Sequence, residues 1–304
     1  MLATINTRAK FPADVAHFAK VHGIDYKTLL SVNPKTEKSE VQTYILHLTP
    51  ADTSGVINVC TGAGNCRKVC LHFAGNPVFM NNKQKARIRR TVAFAADKKI
   101  FSLLVLCAIL HKINQHANET IAIRLNGTSD IPWEEIDFMI SPEFARFCRV
   151  KFGAVLPVGQ RNLFEVFNFM REITGENIIF YDYTKIKRNW AECRRLGYHL
   201  TVSYDGANNI ANHKIVASAL AAGVNVAAAF AIKKGQPLPP VAYIANRSFK
   251  VVDGDLSDYR PADPDGYHIV GLRFKLPHGV PYSTEERDAF CLDGHGLTAS
   301  LKPA

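Results

Sequence analysis

The sequence predicts an α/β protein whose main domain is a (β/α)₈-type barrel, allowing for irregularity, behind a small N-terminal helical extension. Three observations predict it. Short β-branched or apolar runs alternate with helical stretches through most of the chain. The runs are near-continuously apolar, as strands buried on both faces of a parallel sheet must be. Roughly seven such repeats fall within one domain's length, which suits a barrel better than an open sheet. A doubly wound open sheet is the alternative, but no Gly-rich phosphate loop of the dinucleotide or P-loop type is present.

The elements follow in order. Residues 11–21 and 26–30 read as two short helices and PKTEKSE at 34–40 as a polar linker, so residues 1–45 form the helical extension. Strands are expected at 56–60, 121–125, 177–181, 198–204, 224–230, 249–252 and 268–274. Helices are expected at 81–96, 99–116, 133–148, 161–173, 185–196 and 211–222. These make residues 46–280 a barrel-like catalytic domain. Periodicity fades beyond, so 281–304 reads as an irregular tail.

Composition narrows the function classes. The chain has 304 residues and a formal net charge of +10, which favours a polyanionic partner. No run of about 18 apolar residues exists, so no membrane span is expected. The first residues lack a signal-peptide core, and a cytoplasmic location is expected. Seven cysteines, an odd number, would there be reduced.

Polar residues gather where the expected strands end. The run at 121–125 leads into Asn126, Ser129 and Asp130; that at 177–181 into Asp182; that at 198–204 into Asp205 and Asn208; that at 249–252 into Asp253 and Asp255. In a parallel barrel these ends open on one face, where chemistry collects. Asp130, Asp182 and Asp205 are therefore the candidate catalytic carboxylates, dividing the roles of nucleophile and acid or base. Arg124, Asn126, Ser129, Tyr204, Asn208, Asp253 and Asp255 are the candidate substrate-binding groups. The competing reading of each aspartate is a helix N-cap, as Pro132 after Asp130 illustrates.

Two further features carry chemistry. Cys60, Cys66 and Cys70 fall in one turn-rich segment with His72 behind them. Their thiolates suit zinc or an iron–sulfur cluster. Three thiolates with an open position suit a catalytic cluster; three with His72 suit closed zinc. The spacing Cys-x5-Cys-x3-Cys is neither a standard zinc-finger pattern nor Cys-x3-Cys-x2-Cys. Downstream, Lys83, Lys85, Arg87, Arg89 and Arg90, with Arg67 and Lys68, form a basic array able to contact phosphates of nucleic acid. On a helix Lys83, Arg87 and Arg90 share one face and Lys85 and Arg89 another.

The order of motifs resembles a bacteriophage gene-product family. Cys60, Ala63, Gly64, Cys66, Lys68 and Cys70 match its cysteine–glycine loop, Ser129 and Asp130 its strand-end turn, and Phe180, Tyr181, Tyr183, Thr184 and Lys185 a later strand. More distantly, residues 125–131 and the aspartates look like the tRNA-guanine transglycosylase barrel, although the Cys-x-Cys-x2-Cys zinc motif of that family is absent. This likeness implies a phage DNA-modifying glycosyltransferase that exchanges guanine in DNA for a 7-deazaguanine base. An aspartate would be the nucleophile and the target base would be flipped from duplex DNA. A second likeness, through the early cysteines, is to radical S-adenosylmethionine barrels and implies an iron–sulfur cluster. The third expectation is a non-catalytic DNA-binding accessory protein with structural zinc.

Overall fold

The structure, a computed structural model, describes residues 10–32, 41–70, 72, 81–116, 119–175, 177–244, 247–275 and 281–292. The expected linker at 34–40 and most of the expected tail lie outside the described residues. In chain order the elements are α1 (Ala13–Val21), β1 (Leu30–Ser31), β2 (Gln42–Leu46), α2 (Asn81–Ala96), α3 (Lys98–Gln115), β3 (Ile121–Arg124), β4 (Phe138–Ile140) and α4 (Pro142–Phe152). They continue with β5 (Gly159–Arg161), α5 (Leu163–Thr174), β6 (Ile178–Thr184), α6 (Trp190–Arg195), β7 (Tyr198–Ser203) and α7 (Ile210–Ala221). The remainder are β8 (Val226–Phe230), β9 (Val241–Ile244), β10 (Arg247–Asp253), β11 (His268–Arg273) and α8 (Thr284–Phe290).

The expected barrel does not form. The main sheet is open, with nine strands in the order β1-β2-β3-β6-β7-β8-β11-β10-β9. From β2 to β10 every neighbouring pair is parallel. Closure would require the two outer parallel strands to pair with each other. Each free edge is instead taken by an antiparallel strand, β1 on β2 and β9 on β10. Alternating apolar strands and helices dictate a parallel sheet covered by helices. They do not encode the tilt and stagger that decide closure, and there the barrel expectation fails.

Local expectations diverge at three places, one of them the expected irregular tail, where Thr284–Phe290 forms α8 behind a Ser283–Glu286 capping box. The expected strand at 56–60 is a turn and irregular segment; Val56 is exposed and Val59 buried. The first parallel strand is β2, whose QTYIL follows a polar run. The expected helix at 133–148 is broken into a short 3₁₀ turn, Trp133–Glu135, then β4, then α4. Ser141 caps α4 by accepting from the Phe144 N–H, and Pro142 fits its first turn.

The core lies on the helix-covered face. α3 is buried from Phe101 to Leu110, apolar on every side, and packs against α1, α2, α4 and β4. Phe180 of β6 meets Phe164 and Phe167 of α5, and Tyr198 of β7 stacks on Phe164. Strand alternation sends the intervening residues to the other face. There Thr43, Arg124, Tyr181, Tyr183, Thr201 and Ser203 make a polar, aromatic wall. The Tyr181 hydroxyl donates to Thr43 Oγ1 at 3.3 Å. The connection between β10 and β11 lies against this wall, Tyr259 meeting Tyr181 edge-on at 5.6 Å.

Candidate functional site

The cysteine loop follows β2 and is drawn onto the C-terminal ends of β3, β6 and β7. Asp205, fully buried just beyond β7, is its anchor. One carboxylate oxygen accepts the N–H groups of Gly64 (3.0 Å) and Asn65 (2.9 Å) and the Asn209 side-chain amide (2.7 Å); the other accepts the Cys66 N–H (3.0 Å). These N–H groups open a 3₁₀ turn, Asn65–Arg67, so a carboxylate from a distant strand end caps it. The Asn65 amide in turn donates to Asp205 O, Asn208 Oδ1 and Ala289 O, tying in α8. Close approach explains two glycines. A Cβ on Gly64 would lie 2.5 Å from Asp205 Oδ2, and one on Gly206, at φ +95°, would lie 1.8 Å from Ala289 O.

Three thiols result from this anchoring. Cys60 Sγ donates to Thr128 O at 3.7 Å, and Cys70 Sγ accepts the His72 N–H at 3.5 Å. Burial pushes the Cys60 thiol up to about 11 and the Cys66 thiol up to about 12, and raises Cys70. Cys70 acts electrostatically on both other thiols, and Lys185 acts on all three. The Lys185 ammonium donates to Ser203 Oγ at 2.7 Å. Burial opposes its charge, but Cys66, Asp205, Asp130 and Cys70 outweigh that and raise its pKa. Among the described residues no three His, Cys, Asp or Glu side chains converge tightly enough for a single metal ion. The His72 ring is bonded through Nδ1 to Arg87.

The other two aspartates are also held by protein donors. Asp130 accepts from the Thr184 hydroxyl (2.8 Å), the Lys185 N–H (2.7 Å) and Arg188 (3.0 Å). Arg188 is itself buried and donates to both Glu134 oxygens at 2.8 and 2.7 Å. Asp182 points to the helix side, accepting from the Leu125 N–H (2.9 Å), the Asn126 N–H (3.0 Å) and the Tyr198 hydroxyl (2.8 Å). Burial pushes it up to about 6, against the pull of Arg124 and these donors.

The expected binding residues divide the same way. The Asn126 side chain accepts from Ser129, Ile131 and Trp133 and donates to Ile131 O and Tyr198. Asn208 accepts from Asn65, and Asp253 and Asp255 both hold Arg273. Two keep an unspent atom: the Tyr204 hydroxyl and Arg124 Nε are buried without a hydrogen-bond partner among the described residues. Arg124 lies over the Tyr181 and Tyr183 rings at 5.5 and 5.3 Å, with Asp182 at 3.8 Å. In the basic array, Arg67 pairs with Asp52 and Lys68 with Glu286. Lys83, Lys85 and Arg89 are exposed on α2, whereas Arg87 and Arg90 turn inward, Arg87 to His72 and Arg90 to Thr28 O.

Sequence reasoning did not assign His47 a role. It follows β2, on the wall side, and a Cβ on Gly127 would lie 2.6 Å from its Nδ1. That nitrogen is buried and without a hydrogen-bond partner among the described residues. Burial, then the charges of Arg87, Arg124 and Arg90, push His47 down to about 3. A lone histidine in a mixed strand end gives no signal of this. Lys185 was visible only as part of a motif.

The cysteine–glycine loop, the Ser129–Asp130 turn and the strand from Phe180 to Lys185 thus form one assembly. The chain matches the family model described as Gene product 88 over residues 25–294. It belongs to that family. For Gene product 88 the match is consistent with the phage gene-product family that the motif order resembles, and it does not support kinship with the transglycosylases. No curated protein and no solved structure matches the chain. Among the described residues no helix is long and apolar enough to cross a membrane.

Proposed function

We propose that this protein is an iron–sulfur enzyme in which Cys60, Cys66 and Cys70 hold a cluster at the C-terminal edge of the open parallel sheet. One observation carries the reading: the three thiols sit on a loop clamped to the ends of three strands, with the charge of Lys185 acting on all three. The donor set fits the group. Cysteine thiolates are the usual ligands of such clusters, and three lie on this one loop. Burial favours the protonated thiols, and the positive charge of Lys185 offsets part of that effect toward thiolate.

The cluster would supply redox chemistry, with one iron left open to a ligand. S-adenosylmethionine is the ligand that the resemblance through the early cysteines adds. This chain's own residues set the frame. Asp205 and Asn65 fix the loop, and Lys185, which donates to Ser203 Oγ, balances charge.

Base exchange by an aspartate nucleophile, the first expectation, needs a carboxylate free to attack. Asp130, Asp182 and Asp205 are each bound by several protein donors, so the geometry favours the thiols. The test is S-adenosylmethionine consumption by protein reconstituted with iron and sulfide under anaerobic, reducing conditions. Consumption that disappears in Cys60→Ala, Cys66→Ala and Cys70→Ala supports the reading. No consumption, with labelled 7-deazaguanine instead entering DNA, would overturn it.

A further inference from the structure

We propose that His47, Arg87, Arg90 and Arg124 form a recognition site for one phosphate group of a nucleotide-type substrate, between α2 and the ends of β2 and β3. This goes beyond the cluster reading and stands without it. The register places Ile45 beside Arg124 on neighbouring parallel strands, and the Gly127 N–H donates to Leu46 O at 3.0 Å. The turn after β3 is therefore stitched to the end of β2, and Gly127 leaves room for the His47 ring. Arg87 and Arg90 are one turn apart on α2, which is tied to the segment after β2 where the Thr49 N–H donates to Thr91 Oγ1 at 2.9 Å.

Two buried nitrogens here lack hydrogen-bond partners among the described residues, His47 Nδ1 and Arg124 Nε. Buried polar atoms are ordinarily satisfied, and an exception calls for a partner such as a water, an ion or a ligand group. The charges of Arg87, Arg124 and Arg90 all act on His47, while Arg87 also meets His72 Nδ1 and Arg90 donates to Thr28 O. The acids that bear on the group are Asp182, which ion-pairs with Arg124 Nε at 3.8 Å while accepting three hydrogen bonds from other donors, and Asp258, which also acts on Arg124. The groups acting on Arg87 and Arg90 include no carboxylate, and both are pulled down, chiefly by burial. Like charges gathered at a partly buried site are costly without an anion. Guanidinium forks match phosphate oxygens in pairs, and several around one point suit a group with three free oxygens better than a carboxylate. The exposed Lys83, Lys85 and Arg89 on the same helix would guide a longer polyanion inward.

The test is calorimetric titration of the full chain with inorganic phosphate, a 5′-phosphorylated single-stranded oligonucleotide and the same oligonucleotide with a 5′-hydroxyl. Saturable binding of phosphate is expected, weakened at least tenfold in Arg124→Met and in Arg87→Met and little changed in Lys214→Ala, an exposed position on α7. Tighter binding of the phosphorylated oligonucleotide would identify a terminal phosphate as the group held. Equal binding of both oligonucleotides, still lost in Arg124→Met, would identify a backbone phosphate. Arg124→Lys, which keeps the charge, should recover part of the affinity and guards against a folding defect in the methionine variant. Absence of saturable binding to folded wild-type protein would overturn the proposal, as would unchanged affinity in both methionine variants.

Discussion

Asp205→Asn separates a loop anchor from a catalytic carboxylate. The side chain keeps its shape, so packing is conserved. An amide has one acceptor oxygen. Placed at the Oδ2 position it still serves Gly64, Asn65 and Asn209, but its NH₂ group then faces the Cys66 N–H, 3.0 Å away in the native arrangement. One charge-assisted bond is lost, worth about 1.5–3 kcal/mol, and a buried N–H is left unpaired at about 1–3 kcal/mol. The remaining bonds weaken as the charge disappears, while relief from burying that charge offsets part of the loss. A net cost of about 2–4 kcal/mol follows, concentrated in local opening of residues 64–66. At about 1.4 kcal/mol per tenfold, Cys66 should react with a thiol reagent roughly 30- to 1000-fold faster. The assay is labelling of folded apoprotein, with the modified cysteine identified by mass spectrometry and global stability followed in urea. Unchanged Cys66 labelling and unchanged stability, together with complete loss of turnover, would refute the anchor and return Asp205 to the chemistry.

Further outcomes follow from the same structure. Arg188→Ala strands Asp130 and Glu134 as buried carboxylates without their cation and should cost about 3–5 kcal/mol in chemical denaturation; combining it with Asp130→Asn and Glu134→Gln should recover much of the loss. Gly206→Ala forces a side chain onto a backbone at φ +95° and against Ala289 O. It should cost at least about 1–3 kcal/mol and raise hydrogen exchange in α8. His47, ordinarily near 6.5, is pushed by burial to about 3 in the fold. The unfolded chain therefore binds the extra proton first. The stability held by keeping the ring neutral is full above about pH 6.5 and falls by up to about 1.4 kcal/mol per pH unit as pH drops toward 3. Urea unfolding at pH 7 and pH 5 should show a shallower decline in His47→Gln, and equal declines would contradict the buried neutral ring.

How far these features were legible differs from residue to residue. The α/β class, the helices α2, α3, α5 and α7, and most central strands follow from periodicity, because each buries one face or both. The open edges were not legible. β1 is two residues long, β2 follows a polar run, and closure depends on stagger rather than pattern. Asp130, Asp182 and Asp205 stood out as strand-end carboxylates. Their roles depend on partners that spacing does not announce: Asp205 serves N–H groups about 140 residues earlier, and Asp130 meets Arg188 across 58 positions. The cysteine loop was visible because cysteine is scarce in the chain. Lys185 and His47 were not, since a lysine after a strand and a histidine after another acquire meaning only when the sheet places them beside thiols and guanidinium groups.

The central claim is that Cys60, Cys66 and Cys70 hold an iron–sulfur cluster. Iron and acid-labile sulfide should be counted per chain after anaerobic reconstitution, with an electron paramagnetic resonance spectrum of the reduced protein. The account predicts about four irons with matching sulfide, a cluster signal on reduction, and loss of both in the Cys60→Ala/Cys66→Ala/Cys70→Ala variant. A colourless folded protein that retains no iron, or one zinc per chain bound by the same thiols, would contradict it.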